Sequence, residues 1–281
     1  MASTVTAEQS ALITPVILIR GAGEMASAVA WRLYQANIKR ICMTELDEPL
    51  CVRRLVSFCA ALDSDVAKVE GVEAVAARDL QEIEAAWRCG QIPVVPQSRW
   101  QKIEGLKPDV AIDAILAKRN IATQLDDANL VIALGPGFTA GRDCHFVIET
   151  NRGHDLGRVI SKGAAAPNTG VPGDIAGHTL ARVFRSETSG TFETSRNIGD
   201  TVAVGDCVGT VAGIPVVAAI SGVLRGLLRS GTHVPAGLKL GDVDPRAKPD
   251  HCCTISDKAR AIGGAVLEAV MRRYNSGRSA Y

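Results

Sequence analysis

The fold is decided by the stretch Val16-Ile-Leu-Ile-Arg-Gly-Ala-Gly-Glu-Met-Ala-Ser27. Its first four residues are apolar, which is typical of a strand buried on both faces of a sheet. The glycines that follow predict a tight turn into a helix, and residues 40–44 predict the next strand, which ends at Glu45. This order of strand, glycine turn, helix, strand and terminal acid predicts a Rossmann-type βαβ unit.

Four residues of this unit form the predicted cofactor-binding site. Gly21 permits the tight turn, Gly23 lets a phosphate approach the backbone, and Ser27 stands near the place of the third glycine. Glu45 lies at the distance expected of an acid that binds ribose hydroxyls. Glu24 in the first helical turn would repel a pyrophosphate, so a βαβ unit without a bound nucleotide is the alternative.

Further apolar runs extend the predicted parallel sheet. They lie at residues 66–69, 92–95, 109–113 and 130–134, with helices predicted at 50–62 and 79–88. Ligands of such sheets bind beyond the carboxyl ends of the strands. Gly135, Gly137 and Arg142, which follow one of these strands, are therefore predicted to cradle an anion, or else to form a plain turn between strands.

The candidate catalytic residues are weaker predictions. Asp113 ends the predicted strand 109–113 and Lys118 follows it. His145 lies in a further predicted strand at 144–150 and His154 follows that one, so each could move a proton. Cys51 follows Pro49 near the predicted site and is a candidate sulfur relay thiol. The eight cysteines include no C-x-x-C pair and the histidines lack metal-ligand spacing, so no metal site is predicted.

Composition excludes several classes of function. Lys and Arg number 31 against 30 for Asp and Glu, a net charge of +1 that would not draw the chain to nucleic acid or anionic lipid. No apolar run approaches the roughly 18 residues of a membrane helix. Residues 1–15 lack the features of a signal peptide and are predicted to be a flexible tail. We expect a cytoplasmic protein.

The second half changes character after a glycine- and proline-rich stretch at residues 168–177. A repeat, G-x-x-V-x-x-G, begins at Gly199 and again at Gly231, which predicts a small β domain similar to the barrel-sandwich hybrid of lipoyl carriers. No lysine lies between Lys162 and Lys239, so a carrier role is excluded and a docking role is expected. Ser256 is the predicted N-cap of a terminal helix.

The predicted fold class is thus α/β, with a Rossmann-like parallel sheet, a second, smaller β domain and a C-terminal helix. The predicted divisions are the tail at 1–15, the Rossmann-like domain at 16–166, the β domain at 167–250 and the helix at 251–281.

Seven motifs along the chain resemble one family. They are 20–27 (RGAGEMAS), 113–118 (DAILAK), 134–141 (LGPGFTAG), 148–154 (IETNRGH), 167–173 (PNTGVPG), 241–246 (GDVDPR) and 255–260 (ISDKAR). Together they resemble the YqeB-like accessory proteins of selenium-dependent molybdenum hydroxylases, which are related to the XdhC and CoxI maturation factors. The family usually has an aspartate where this chain has Glu24.

The resemblance implies a maturation factor with little or no catalysis of its own. It would bind a dinucleotide, either molybdopterin dinucleotide or NAD(P), and assist cofactor modification or insertion into a molybdenum hydroxylase apoprotein. The alternatives are an NAD(P)-dependent oxidoreductase that uses the same site and an interaction protein whose site is empty. The sequence leaves the oligomeric state and any selenium chemistry open.

Overall fold

A nine-stranded sheet forms the larger part of the computed structural model, which describes residues 14–276. Its spatial order is β10-β9-β7-β6-β1-β2-β5-β4-β3. The strands are β1 (Ile17–Arg20), β2 (Ile41–Glu45), β3 (Val66–Val69), β4 (Val72–Ala76), β5 (Ile92–Pro96), β6 (Val110–Asp113), β7 (Leu130–Leu134), β9 (Phe146–Ile148) and β10 (Val159–Ile160). A separate two-stranded ribbon pairs β8 (Thr139–Ala140) with β11 (Gly163–Ala164).

The predicted fold class is wrong because this sheet is mixed rather than parallel. Its inner strands run parallel, but β3 and β10, at the two edges, run antiparallel to their neighbours. Glu70 (φ 42°) and Gly71 (φ 85°) form the two-residue turn between β3 and β4, and positive φ at both positions is the geometry that reverses a chain into a hairpin. The residues between β6 and β7 contain no helix.

The helices cover the sheet unevenly. They are α1 (Glu24–Gln35), α2 (Ala61–Ser64), α3 (Leu80–Arg88), α4 (Gln97–Trp100), α5 (Asp250–Cys253) and α6 (Asp257–Asn275), with 3₁₀ turns at Arg54–Val56, Phe58–Ala60 and Leu180–Arg182. The helix predicted at residues 50–62 is therefore replaced by two 3₁₀ turns and the short α2. Ser256 caps α6 by accepting a hydrogen bond from the Ala259 amide.

The main core lies between the sheet and the pair α1 and α6. Ile17, Ile19 and Ile112 point to this side and are fully buried. Gly263 of α6 lies so close to α1 that a Cβ there would stand 2.9 Å from the Ala28 carbonyl oxygen. The last helix is thus part of the layer that covers the large sheet. The predicted domain boundaries stay predictions.

Two four-stranded antiparallel sheets form the rest, in place of the predicted barrel-sandwich domain. Their orders are β12-β19-β17-β14 and β16-β15-β13-β18. The strands are β12 (Val183–Arg185), β13 (Gly190–Glu193), β14 (Thr201–Val202), β15 (Cys207–Val211), β16 (Ile214–Val217), β17 (Gly222–Leu227), β18 (Thr232–Val234) and β19 (Lys239–Asp244).

The sequence repeat has equivalent surroundings in the two antiparallel sheets. Gly199 and Gly231 both have positive φ, and each donates its amide to a strand carbonyl, of Leu224 and of Phe192 respectively. The repeat valines, Val202 and Val234, are 1% and 0% exposed. Each repeat therefore delivers an edge strand, β14 or β18, to a different sheet.

Residues 51–59, which we call the bridging segment, join the two parts of the molecule. The Leu227 amide of β17 donates to the Val52 carbonyl at 2.7 Å, and Arg54 Nε donates to the Leu227 carbonyl at 3.0 Å. The Arg53 guanidinium is buried and donates to the Arg225 carbonyl at 2.8 Å. Within residues 14–276, no helix is long and apolar enough to cross a membrane.

Candidate functional site

The glycine turn after β1 brings the four predicted cofactor-binding residues together, but the side chains of Ser27 and Glu45 form hydrogen bonds within the protein. The Ala22 amide donates to Glu45 Oε2 at 2.9 Å. Ser27 is fully buried, where its hydroxyl donates to the Ala22 carbonyl and accepts from the Phe58 amide. The Glu45 carboxylate, which was expected to bind a ribose, therefore accepts the hydrogen bond of the Ala22 amide, which was expected to bind a phosphate.

Gly21 itself is required by packing. Its φ is +98°, and a Cβ there would stand 2.9 Å from the Ala114 carbonyl oxygen in the loop after β6. Gly23 is the N-cap of α1 and provides no side-chain cap. The turn thus fixes α1 and two loops against each other, which accounts for its glycines without a nucleotide. The prediction of an NAD(P)-binding Rossmann turn is corrected on this geometry.

The second predicted cradle also holds loops together. The Gly135 amide donates to the Ile148 carbonyl at 2.8 Å, and a Cβ on Gly137 would stand 2.6 Å from Arg119 Cα. Arg142 is largely exposed and pairs with Asp143 at 3.0 Å instead of facing a ligand. The backbone cannot open around an anion here without moving the adjacent loop.

Asp113 has a structural role and shapes the loop that carries Lys118. Its buried carboxylate accepts from the Thr123 hydroxyl at 2.6 Å and from the Ile115 amide at 3.2 Å. In the loop that follows, Leu116 and Lys118 both have φ near +60°, at 60° and 63°. Left-handed backbone at two residues other than glycine is strained and is held in place by the surrounding packing.

The two candidate histidines are not brought to the other candidates by any hydrogen bond of the described residues. His145 Nδ1 accepts from the Val131 amide at 3.0 Å, and burial, followed by the positive charge of Arg273, lowers its pKa. His154 is exposed in the turn after β9. This arrangement gives neither histidine a proton-transfer partner.

Three cations gather instead at the carboxyl ends of the inner strands. We call Lys118, Arg152 and Lys258 the loop-end basic cluster. Burial lowers the pKa of Lys258 most, and the positive charges of Lys118 and Arg152 lower it further. Burial also lowers the pKa of Lys118. Since both lysines belong to one field of positive charge, this end of the sheet is suited to an anion.

The carboxylates near the cluster are already engaged. Arg152 forms a two-pronged pair with Asp257 at 2.8 and 2.9 Å, which holds the pKa of Asp257 far below its usual range. Glu24 lies 3.7 Å from the guanidinium of the buried Arg53. Glu149 accepts two backbone amides, those of Asn151 and Ala166, each at 2.7 Å.

Cys51 is half-buried beside the glycine turn. Its sulfur lies 3.1 Å from Ser57 Oγ and 3.9 Å from where a Gly23 Cβ would be. A hydrogen bond with Cys59 is the largest cause that lowers the pKa of Cys51, followed by one with Ser57. The Cys51 thiol thus donates to the Ser57 hydroxyl, which in turn donates to the Arg53 carbonyl at 2.8 Å.

A buried ion network fills the boundary between the two parts of the molecule. Its central carboxylates, Asp242 and Asp244 of β19, are each 1% exposed. Arg225 Nε lies 3.3 Å from Asp242, and Arg246 pairs with Asp244 at 2.7 Å. Although burial opposes it, the positive charges hold the pKa of both aspartates below the usual range.

Sequence reasoning missed Arg152, Lys258, Arg53 and Cys59. Arg152 and Lys258 lie inside two of the quoted motifs, at 148–154 and 255–260, and this was the available signal. Their proximity could not be read from the chain, because α6 returns to the sheet only after the whole antiparallel part.

Comparison with curated proteins places the chain beside one from Escherichia coli (strain K12), described as "Uncharacterized protein YqeB". The two are 47% identical over 262 residues, which is 93% of this chain. Over most of its own length the chain is thus similar to YqeB. It spans 48% of the length of that relative, so the activity of the longer protein is not transferred to it. No protein-family model matches the chain.

Solved structures with some likeness are described as desuccinylases and aspartoacylases. One from Rhodobacter sphaeroides has a TM-score of 0.22 at 18% identity and covers 30% of each chain. An aspartoacylase family protein from Mesorhizobium loti has a TM-score of 0.26 at 15% identity and covers 82% of this chain and 85% of its own.

Overlaps this loose transfer no activity to the chain. The predicted description of the chain as a Rossmann-type NAD(P)-binding fold is corrected on the mixed sheet and on the filled glycine turn of this structure. The cofactor and partner predictions stay predictions.

Proposed function

We propose that the chain is an accessory protein that holds a small phosphate-bearing ligand at the loop-end basic cluster. The observation that carries the proposal is the unpaired charge of Lys118 and Lys258. Among residues 14–276, the lysines that form ion pairs are Lys68 and Lys239. Lys118 and Lys258 form no ion pair among these residues. Although the charges of Glu24 and Glu149 reach Lys258, two lysines that lie beside Arg152 gain from an anion that arrives from solution.

The location supports the same ligand class. Lys118 follows β6, Arg152 follows β9 and Lys258 lies in the first turn of α6, so three elements converge beyond the strand ends. Ligands of open sheets with parallel strands bind at this edge. Glu24, which would repel a phosphate, is matched by Arg53.

The loops that carry the cluster are held rigidly. Glu149 ties the Arg152 loop through the amides of Asn151 and Ala166. Gly137 packs on the backbone of Arg119, next to Lys118. Groups held in place before a ligand arrives lose less conformational entropy when they bind it.

The finer part of the family resemblance belongs to this proposal. A relation to the XdhC and CoxI accessory proteins fits a protein that holds a ligand without catalytic residues of its own. Molybdopterin dinucleotide contains a pyrophosphate and is one ligand of the proposed class. No observation favours the oxidoreductase alternative.

Titration calorimetry with inorganic pyrophosphate tests the proposal. We expect binding to the unaltered chain, and a loss of affinity of about tenfold or more in Lys118→Gln and in Lys258→Gln, since each removes one charge-assisted contact. Lys107→Gln is the matched control because Lys107 is exposed before the amino end of β6. Equal affinity in all four proteins, or no binding to the unaltered chain, would overturn the proposal.

The pH dependence of binding provides a second test. The pKa values of Lys118 and Lys258 are lowered in the free protein, and a bound anion would raise them. Pyrophosphate binding should therefore take up protons at alkaline pH and weaken as pH rises from 7 to 10. Calorimetry in buffers of different ionisation enthalpy measures the proton uptake, which should decrease in Lys258→Gln.

A further inference from the structure

The segment 167–173, which has the sequence PNTGVPG, lies against the loop-end basic cluster. A Cβ on Gly173 would stand 2.4 Å from Arg152 Cδ and 2.8 Å from Arg152 Nε, so the backbone of the segment packs directly on this side chain. Glycine permits so close an approach, because a larger residue would place its Cβ in the space that Arg152 occupies. The segment and the proposed binding site are thus direct neighbours.

The segment is held at its two ends. At the first end, the Ala166 amide donates to Glu149 at 2.7 Å. At the second end, the Gly173 carbonyl accepts from Arg182 Nε at 3.3 Å, and Ile175 just beyond it is 6% exposed. Both ends are therefore fixed to the rest of the protein.

The middle of the segment, residues 167–171, is exposed and contains no helix or strand. The Gly170 amide donates to the Asn168 side chain at 3.4 Å. The Val171 amide donates to the Thr169 hydroxyl at 3.3 Å. Among the residues that the structure describes, no amide of this stretch donates to a group outside the segment. A stretch with few buried contacts and exposed hydrogen bonds opens and closes at little cost in free energy.

The hydrogen-bonding groups of the segment are neutral. Residues 167–173 include no charged side chain, and two of the seven are prolines, so five backbone N–H groups remain. The Thr169 hydroxyl accepts from the Val171 amide, and a hydroxyl can donate at the same time. Successive backbone N–H groups bind anions such as phosphate. Donors of this kind add hydrogen bonds to an anion without adding to the repulsion between the cations of the cluster.

We propose that residues 167–173 form a lid that closes over the loop-end basic cluster and donates hydrogen bonds to the phosphate groups of a bound ligand. The inference rests on the proposed function, because the bound anion is what the lid closes upon. The cluster supplies the positive charge, and the lid supplies its amides and the Thr169 hydroxyl. A closed lid also excludes water, and charges attract an anion more strongly where water is excluded.

Hydrogen–deuterium exchange of the full chain, with and without saturating inorganic pyrophosphate, tests the closure. We expect the amides of residues 168–171 to exchange about tenfold more slowly with pyrophosphate, because closure gives them hydrogen-bond partners. Residues 203–205, in an exposed turn of the antiparallel part, are the control and should exchange equally fast in both samples. In Lys258→Gln, the slowing should decrease with the fraction of the protein that binds pyrophosphate.

Two threonine variants test the donors. Thr169→Val keeps the shape of the side chain but removes the hydroxyl, so pyrophosphate should bind about fivefold more weakly in titration calorimetry. Thr191→Val, the same change at an exposed residue of β13, should bind pyrophosphate as the unaltered chain does. Because both threonines are exposed, neither substitution should prevent folding.

The results separate the lid from the proposed function. Suppose that pyrophosphate binding depends on Lys118 and Lys258. Unchanged exchange at residues 168–171, or unchanged affinity in Thr169→Val, would then overturn the lid and leave the proposed function in place. An absence of binding to the unaltered chain would overturn both.

Discussion

The large sheet and the sheet that contains β17 and β19 place their charges in opposite ways. In the large sheet, the strands carry buried apolar residues such as Ile17, Ile19 and Ile112, and the cations of the loop-end basic cluster lie beyond the strand ends. In the smaller sheet, Arg225 and Asp242 lie within the strands themselves and are buried. The cations beside the large sheet are thus free to bind a solute, whereas the charged groups of the smaller sheet pair with one another.

The bridging segment explains the difference. The sheet that contains β17 and β19 contacts the bridging segment, and Arg53 is 3% exposed at that contact. A charged face inside a protein is tolerated when each group finds an opposite charge, as Arg225 does in Asp242. Buried charge thus marks the joint between the two parts, which is the ion network around Asp242 and Asp244, whereas unpaired charge marks the candidate site.

Removing a carboxylate from the joint should have the largest effect. Asp242→Asn removes the charge partner of Arg182 and the nearer of the two carboxylates that face Arg225, so we expect about 3 to 5 kcal/mol of lost stability. Urea unfolding measures it. Glu187→Gln, an exposed carboxylate of the same part, should cost less than about 0.5 kcal/mol. A loss below 1 kcal/mol in Asp242→Asn would mean that the joint does not depend on its charges.

Substituting glycine in the loop-end region comes next. Gly137→Ala combines a φ of +109° with a Cβ 2.6 Å from Arg119 Cα, whereas Gly141→Ala meets nothing within 4 Å at a φ of +87°. We expect a loss of about 3 kcal/mol for Gly137→Ala and about 1 kcal/mol for Gly141→Ala. Thermal and urea unfolding compare the two. Equal losses would show that backbone strain alone, without loop packing, sets the cost.

The repeat offers an internal symmetry test. Val202→Ala and Val234→Ala each remove two buried carbons from the shared core of the antiparallel sheets, so each should cost about 2 to 3 kcal/mol. Urea midpoints measured on both variants check this. A difference above about 1 kcal/mol would show that the equivalent hydrogen bonds of Gly199 and Gly231 do not reflect equivalent packing.

Acid should weaken the joint gradually. Because the folded pKa values of Asp242 and Asp244 lie below those of the unfolded chain, their contribution is complete above about pH 5 and is lost as pH falls through 4 and lower. Asp244→Asn should reduce the slope of stability against pH in this range by up to about 1.4 kcal/mol per unit, the limit for one proton. An unchanged slope between pH 5 and 3 would contradict this assignment.

The sequence allowed prediction of the local elements but not of their assembly. The alternation of residues 16–45 predicts β1, α1 and β2, which the structure contains. The antiparallel edge was missed because it depends on the two-residue hairpin turn at Glu70 and Gly71. Both positions have positive φ, and glutamate is an unusual residue for such a position.

The candidate site was harder to predict for a physical reason. Gly21 and Glu45 have the spacing of a nucleotide site, but spacing does not show that the Glu45 carboxylate bonds the Ala22 amide. Lys118 was among the candidates, whereas Arg152 and Lys258 join it only through long-range contacts. Local patterns indicate which groups are present, and tertiary packing decides which remain free.

The position of α6 has a consequence for how the protein is made. A ribosome synthesises the nine strands of the large sheet first and then the whole antiparallel part, and only afterwards the helix that covers Ile17 and its neighbours. Until that helix emerges, the nascent chain has an uncovered apolar face that can aggregate. Removal of α6 should therefore expose the apolar face of the large sheet, which is the part synthesised first. A chaperone would be needed longest at that face.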